Sequence, residues 1–172
     1  MQTLTDFFNN SFFVILGGLG TLFSLVALGF TLYSWSKGIL IVWWRLGIAL
    51  SKRKIAIFAE NEFNDLRRLL VESKLFEESN IIQIGKMSIK SAEGLPLLLV
   101  HWKPFENNID EILDIKKDFA ALIIYAPHSE GPVPMPVTEK INKHRNTILV
   151  NFRGRLVKDV LTCMITTSFD EK

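Results

Sequence analysis

The stretch FFVILGGLGTLFSLVALGFTLYS, residues 12–34, is an apolar run of 23 residues that contains no charge. At ~1.5 Å per residue, a helix of this length crosses a bilayer hydrocarbon core of ~30 Å. A cleaved signal peptide would have a basic start and a shorter apolar core of ~7–15 residues. The first 36 residues contain neither Lys nor Arg. The run therefore predicts a transmembrane helix over residues 12–36.

Basic residues follow this run and do not precede it. The first of them are Lys37, Arg45, Lys52, Arg53 and Lys54. Because loops rich in Lys and Arg stay in the cytoplasm, the pattern predicts a single-pass protein of the cell inner membrane. Residues 1–11 would form an extracytoplasmic tail, and residues 53–172 would form a cytosolic domain.

Residues 37–52 connect these two parts. Residues 38–50 are apolar but too few to span a bilayer, and they contain Arg45. Three tryptophans lie close by, and tryptophan is enriched at the membrane interface. We interpret residues 37–52 as an interfacial helix or linker, or as a continuation of the membrane helix. The alternative is a second, short span, which would bring Arg45 close to the hydrocarbon core at high cost.

Small residues recur along the run at alternating spacings of three and four, which places them on one helix face. They are Gly17, Gly20, Ser24, Ala27, Thr31 and Ser34, and we call this face the small-residue stripe. Small residues let membrane helices approach closely. The stripe predicts a contact between copies of the chain, although small residues are also common in membrane helices by chance. A pore lined by the stripe is a further hypothesis, and Phe13 would then close its outer mouth by excluding water.

Composition limits the remaining possibilities. The chain has 172 residues and a net charge of +2, so about 120 residues are left for one ordinary soluble domain. The charges form no long basic run of the kind that binds nucleic acid. A single cysteine, Cys163, excludes an internal disulfide and a multi-cysteine zinc site. It lies in a predicted helix, and we interpret it as a buried thiol.

From residue 54 onward, short apolar runs alternate with helical patterns. Strands are predicted at residues 55–59, 81–84, 97–101, 121–125 and 147–151, and helices at residues 62–73, 109–117, 137–143 and 155–167. The strands are apolar throughout, as in parallel sheets that are covered on both faces. The alternation predicts a small α/β domain of Rossmann-like or flavodoxin-like type. Residues 87–90 are predicted to form an extra strand or hairpin.

The fifth predicted strand leads into the most informative segment of the domain. Ligands of such sheets bind beyond the carboxyl ends of the strands. A helix N-terminus there offers backbone N–H groups, and guanidinium groups bind phosphate with two parallel bonds. The alternative is structural, with Arg155 paired to Asp159 and Phe152 packed under the sheet. The predicted ligand-binding residues of this segment are Asn151, Arg153, Gly154 and Arg155.

Further side chains are expected on the same rim. Lys86 follows the second strand, and Lys103 follows the third. Both would add positive charge, while Trp102 and Phe152 would stack on a nucleobase. The chain has no GxGxxG and no Walker loop, which disfavours a standard dinucleotide or ATP site.

Signs of catalysis are weak. The three histidines are scattered and show no metal-ligand spacing. Glu60 stands at a strand end but is more commonly a solvated or capping residue in that position. His128, Ser129 and Glu130 are adjacent, and adjacent side chains rarely point at one another. We interpret them as a loop that folds over a ligand, and we expect no enzyme activity, cofactor or metal.

This combination resembles the membrane effectors of prokaryotic antiviral defence. These include CRISPR-associated membrane proteins with a CARF-type sensor and the channel effectors of nucleotidyltransferase-based systems. The segment VNFRGRL, residues 150–156, and the helix after it also resemble the end of TIR-like domains. The resemblance covers the architecture of the whole chain and only short local matches.

The resemblance implies a function. The cytosolic domain would bind a nucleotide or oligonucleotide second messenger, and a homo-oligomer, by analogy a tetramer, would open an ion channel that depolarises the cell. One alternative is a membrane-anchored TIR-like NAD hydrolase. TIR enzymes use a helical catalytic glutamate, which this sequence does not place. The other alternative is a non-catalytic module that docks a partner protein at the membrane.

Overall fold

The computed structural model describes residues 11–39, 41–42, 47 and 53–167. The chain divides into two compact units, Met1–Arg45 and Leu46–Lys172. The first unit contains one long helix, α1 (Ser11–Ser36). The second contains a parallel sheet with helices. This confirms an N-terminal apolar helix followed by a small α/β domain.

The apolar side chains of α1 are solvent-exposed. Its segment Ile15–Ser36 is long and apolar enough to span a membrane. Ten large apolar side chains are each more than half exposed: Ile15, Leu16, Leu19, Leu22, Phe23, Leu25, Val26, Leu28, Phe30 and Leu32. Such a surface is unfavourable in water, at ~25 cal/mol per Å². It therefore requires a lipid or protein cover.

Helix α1 ends in a left-handed glycine turn. Gly38 has φ +70°, and its N–H donates to the carbonyl of Trp35 at 2.9 Å. Glycine adopts this conformation without strain, and it closes helices in this way. The Val42 N–H then donates to the Gly38 carbonyl at 3.1 Å, which begins a new helical turn. The helix is therefore interrupted at Gly38, and most of residues 37–52 lie outside the described residues, so the prediction for this segment stays untested.

Two hydroxyl groups of the small-residue stripe bond to their own helix. Ser24 donates to the Gly20 carbonyl and Thr31 to the Ala27 carbonyl, each at 2.8 Å. These two hydroxyl donors already have acceptors within the helix. They therefore need neither water in a pore nor a partner helix. The side chain of Phe13 lies outside the described part of α1. The oligomer contact and the pore gate stay predictions.

The second unit is built on a five-stranded sheet in which all neighbouring strands are parallel. The strands are β1 (Ile55–Phe58), β2 (Ile81–Ile84), β3 (Leu97–His101), β4 (Ala121–Tyr125) and β5 (Thr147–Val150). Their spatial order is β2-β1-β3-β4-β5. This is the flavodoxin-like order of doubly wound sheets. It agrees with the α/β fold expected from the apolar runs.

Helices cover both faces of this sheet. They are α2 (Phe63–Glu72), α3 (Trp102–Phe105), α4 (Ile109–Ile115), α5 (Met135–Asn142) and α6 (Arg153–Thr167). Alternate strand residues point to opposite faces. Ile57, Leu99 and Ile123 pack with α2 and α6, whereas the residues that follow them in each strand pack with α3, α4 and α5. The carboxyl edge of the sheet therefore lies beside the starts of α2 and α6.

The connection between β2 and β3 differs from the expected strand or hairpin. Lys86–Ala92 forms short 3-10 helical turns, with Ile89 and Ala92 buried against the sheet. Residues three apart share one side of a 3-10 helix. The two buried apolar residues have this spacing. The prediction of an extra strand at residues 87–90 was therefore wrong.

Arg53 joins the start of the domain to the end of α6. Its Nη1 donates to the Met164 carbonyl and to the Thr167 hydroxyl, both at 3.1 Å, and its side chain is buried. A cation at a helix C-terminus is stabilised by the helix dipole. Cys163 also lies in this last part of α6, and burial raises the pKa of its thiol to about 11. This agrees with a buried thiol.

Candidate functional site

A small cavity opens where β5 turns into α6. Its volume is about 120 Å³. Pockets that enclose drug-sized ligands usually measure ~300–1,000 Å³, so this cavity has room for one phosphate-sized group rather than for a whole nucleotide. The residues that line it are Leu149, Val150, Asn151, Phe152, Arg155 and Asp159.

Arg155 supplies positive charge to this cavity. Its side chain is 68% exposed, and its Nε lies 3.9 Å from Oδ2 of Asp159, one turn further along α6. That ion pair is long, so it restrains the guanidinium weakly. Its backbone N–H donates to the Phe152 carbonyl at 3.1 Å, so this donor is already used. Of the predicted phosphate ligands, Arg155 has the side chain best placed to bind.

Arg153 has a different role. It forms an ion pair with Asp65 of α2. Arg68 also contacts Asp65, with 3.0 Å between Nη2 and Oδ1. The Arg153 hydrogen bond holds the pKa of Asp65 below its ordinary value, and the same bond raises the pKa of Arg153. Arg153 therefore links α2 to α6 at the carboxyl edge. The predicted structural pair of Arg155 with Asp159 is also present, although it is long at 3.9 Å.

Neither of the two predicted lysines lines this cavity. Lys86 pairs with Glu60 at 2.9 Å, and Lys103 pairs with Glu106 at 3.0 Å. Because β2 and β5 form opposite edges of the sheet, four spacings of ~4.8 Å separate them, about 19 Å in all. Lys86 and Arg155 therefore cannot contact the same phosphate group.

The predicted stacking residues behave differently from each other. Trp102 is the first residue of α3, is only 3% exposed and lies in the core. It is not placed to stack on a base at the rim, because the short helix after β3 turns its ring inward. Phe152 is 59% exposed and meets the His128 ring edge-on, with 5.1 Å between centroids. Phe152 therefore does not pack under the sheet.

Gly154 and Asn151 complete the segment. Gly154 is the second residue of α6, and a Cβ built there would meet nothing within 4 Å. Its lack of a side chain is thus not needed for packing within the chain. Asn151 is half-buried and lines the cavity.

A second polar pair lies at the centre of the same edge. His101 ends β3 and is 3% exposed, and its Nε2 lies 3.0 Å from the carboxylate of Glu130. The His101 Nδ1 has no hydrogen-bond partner among the described residues. A buried donor without a partner costs more than a buried acceptor whose lone pair is unused. The described residues place an acceptor against Nε2 only, so Nε2 is the nitrogen that donates to Glu130. Sequence analysis missed this pair because its members lie 29 residues apart.

The pKa of Tyr125, at the end of β4, is shifted by burial and by nearby charges. Burial raises the pKa of its hydroxyl, the Arg153 charge lowers it, and Glu62, Glu130 and Asp65 raise it further. Arg153 and Glu130 therefore both influence the pKa of this side chain. The carboxyl edge combines one buried histidine, two arginines and several carboxylates.

Within residues 11–39, 41–42, 47 and 53–167, no group of three or more His, Cys, Asp or Glu side chains could hold a metal ion. Glu130 bonds to His101 and not to its neighbour His128. The three adjacent residues 128–130 therefore do not form a triad.

Comparisons of this chain with protein-family models, with curated proteins and with solved structures found no match.

Proposed function

We propose that this protein is a homo-oligomeric membrane effector of antiviral defence, with a cytosolic CARF/TIR-like nucleotide sensor. A nucleotide or oligonucleotide signal binds at the carboxyl edge of the sheet and opens a pore made by copies of α1, and the cell depolarises. One observation carries the proposal: an exposed apolar helix of membrane length shares a chain with a parallel α/β domain whose edge holds a phosphate-sized cavity lined by Arg155 and Asp159.

The membrane part of the proposal rests on the surface of α1. The helix leaves large apolar side chains uncovered on every side, which is the pattern of a helix immersed in lipid. The small-residue stripe offers a place where two such helices pack closely. The inner membrane and the cytosolic location of the domain follow from the basic residues after α1.

The sensor part rests on the start of α6. A phosphate at this position would receive the helix dipole and the Arg155 guanidinium together. Because the cavity holds one phosphate-sized group, the rest of the nucleotide would lie along the exposed rim, where Phe152 offers a ring for stacking. The ligand opens the pore only if it binds the open state more tightly than the closed state.

Mass spectrometry of small molecules released from the full-length protein tests the proposal. The protein should be purified from cells that also express its genomic neighbours, as wild type and as Arg155→Ala. We expect a phosphate-bearing molecule from the wild type and much less of it from Arg155→Ala. Recovery of intact nucleotide would favour sensing, whereas NAD breakdown by the purified protein would favour the hydrolase alternative. A wild type that releases no phosphate-bearing molecule, even from infected cells, would contradict the proposal.

The oligomer contact gives a separate prediction. A Cβ built at Gly20 or at Gly29 meets nothing within 4 Å in its own chain, so larger side chains there can disturb only contacts between molecules. Gly20 is on the small-residue stripe, and Gly29 faces another side of the helix. Gly20→Leu should therefore lower the mass of the detergent-solubilised oligomer, measured by light scattering, while Gly29→Leu leaves it unchanged. Equal masses for both variants would remove the stripe from the account.

A further inference from the structure

The carboxyl edge already holds an anion of the protein's own. The Nε2 of His101 lies 3.0 Å from the carboxylate of Glu130, which belongs to the loop after β4. His101 sits on a central strand, whereas Glu130 sits in a short 3-10 turn, His128–Glu130. A fixed buried donor thus holds a carboxylate from a surface loop.

The two partners differ in burial. The His101 side chain is 3% exposed, and that of Glu130 is 27% exposed. Glu130 can therefore return to water at low cost, while His101 cannot leave the core. Gly131 follows the turn directly and has φ +89°. Glycine adopts this left-handed conformation without strain, so the chain can turn directly after the carboxylate.

We propose that His101 forms an anion-binding position at the centre of this edge and that Glu130 occupies it until a phosphate group of the ligand takes its place. This inference rests on the proposed function, because it needs a phosphate-bearing ligand at the carboxyl edge. It adds a residue and a competing internal group that the β5–α6 segment does not contain.

The surroundings suit a phosphate. A phosphate oxygen accepts from the His101 Nε2–H as the Glu130 carboxylate does, and it brings more acceptor atoms. Arg153 acts on the pKa of Tyr125 as a positive charge and Glu130 as a negative one, and the Arg153 guanidinium is paired with Asp65. Glu62 and Asp65 act there as negative charges, so Glu130 must move away before a second anion becomes favourable. Exchange of the Glu130 carboxylate for a phosphate group is therefore more favourable than binding of both anions together.

The exchange should be visible as a gain in affinity. A ligand that must displace an internal group binds with an affinity reduced by the fraction of protein in which the position is open. Glu130→Gln removes the negative charge, keeps the side-chain shape and opens the position more often. Most substitutions at a binding edge weaken binding, so a gain is a distinctive result.

The test is isothermal titration of inorganic pyrophosphate into the full-length protein in detergent micelles. We expect Glu130→Gln and Glu130→Ala to bind about tenfold or more tightly than the wild type. Glu62→Gln is the matched control, because it removes a nearby charge that does not bond to His101. Its gain should be clearly smaller.

The outcomes separate this inference from the proposed function. If the wild type binds pyrophosphate and the Glu130 variants bind no more tightly, Glu130 is not an internal competitor and the inference is wrong. An equal gain in Glu62→Gln would also overturn it, since general electrostatics would then explain the effect. If neither the wild type nor any variant binds pyrophosphate, and no phosphate-bearing molecule is released from the purified protein, both fail together.

Discussion

The double substitution Leu25→Arg, Leu28→Arg should remove the protein from the membrane. Of the ten large apolar side chains of α1 that are exposed between Ile15 and Leu32, eight remain in this variant, and they contribute roughly 2.4–4.8 kcal/mol to insertion, at ~0.3–0.6 kcal/mol each. Two arginines near the helix centre cost about 5–7 kcal/mol together. The cost of the two arginines therefore matches or exceeds the gain from the apolar side chains. We therefore expect most of the variant in the soluble or degraded fraction.

Carbonate extraction of membranes measures this effect. The matched control is Leu25→Val, Leu28→Val, which keeps the helix apolar and should stay in the membrane pellet. Neither position is on the small-residue stripe, so neither change tests oligomer contacts. If carbonate released the wild type, or if the arginine variant stayed in the pellet, α1 would be covered by protein rather than by lipid.

Arg155→Ala should weaken binding of the phosphate-bearing ligand by about tenfold or more. A hydrogen bond to a charged group contributes ~1.5–3 kcal/mol, and ~1.4 kcal/mol is one decade in affinity. The free energy of unfolding should change little, because the Arg155 side chain is exposed and its ion pair with Asp159 is long. Titration of the molecule recovered with the protein, with the unfolding transition measured in parallel, checks both statements.

Two further variants sharpen that experiment. Asp159→Asn removes a carboxylate from the cavity and should strengthen binding. Lys158→Ala removes an exposed charge from the same helix that does not line the cavity, and it should change little. Equal loss in Lys158→Ala and Arg155→Ala would show that only general charge matters. Unchanged binding in Arg155→Ala would leave the basic segment with a structural role.

The sheet could be predicted because its signal is local. The run ALIIY at Ala121–Tyr125 is apolar throughout, and all five residues are buried in β4. A central strand of a parallel sheet needs this composition wherever its neighbours lie. Residues 86–92 were harder, because a short segment with two inward apolar residues fits several conformations. Its 3-10 turns are selected by packing against the sheet, which the sequence does not display.

The site could be predicted only in part. The start of α6 was found because β5 and the glycine between two arginines are visible in the sequence. The Arg153–Asp65 pair was not, since it depends on α2 and α6 covering the same face. Lys86 was assigned to the same site because sequence order does not reveal that β2 and β5 form opposite edges. The His101–Glu130 contact likewise needs the parallel pairing of β3 with β4.

Dissipation of a membrane potential in liposomes tests the central claim most directly. The full-length protein would be reconstituted as wild type and as Arg155→Ala, and a potential-sensitive dye would follow addition of the molecule recovered with the protein. The account predicts rapid loss of the potential in wild-type liposomes, and no loss in Arg155→Ala liposomes at the same ligand concentration. A potential that persists in wild-type liposomes at saturating ligand would contradict the claim that binding at the sheet edge opens the membrane helices.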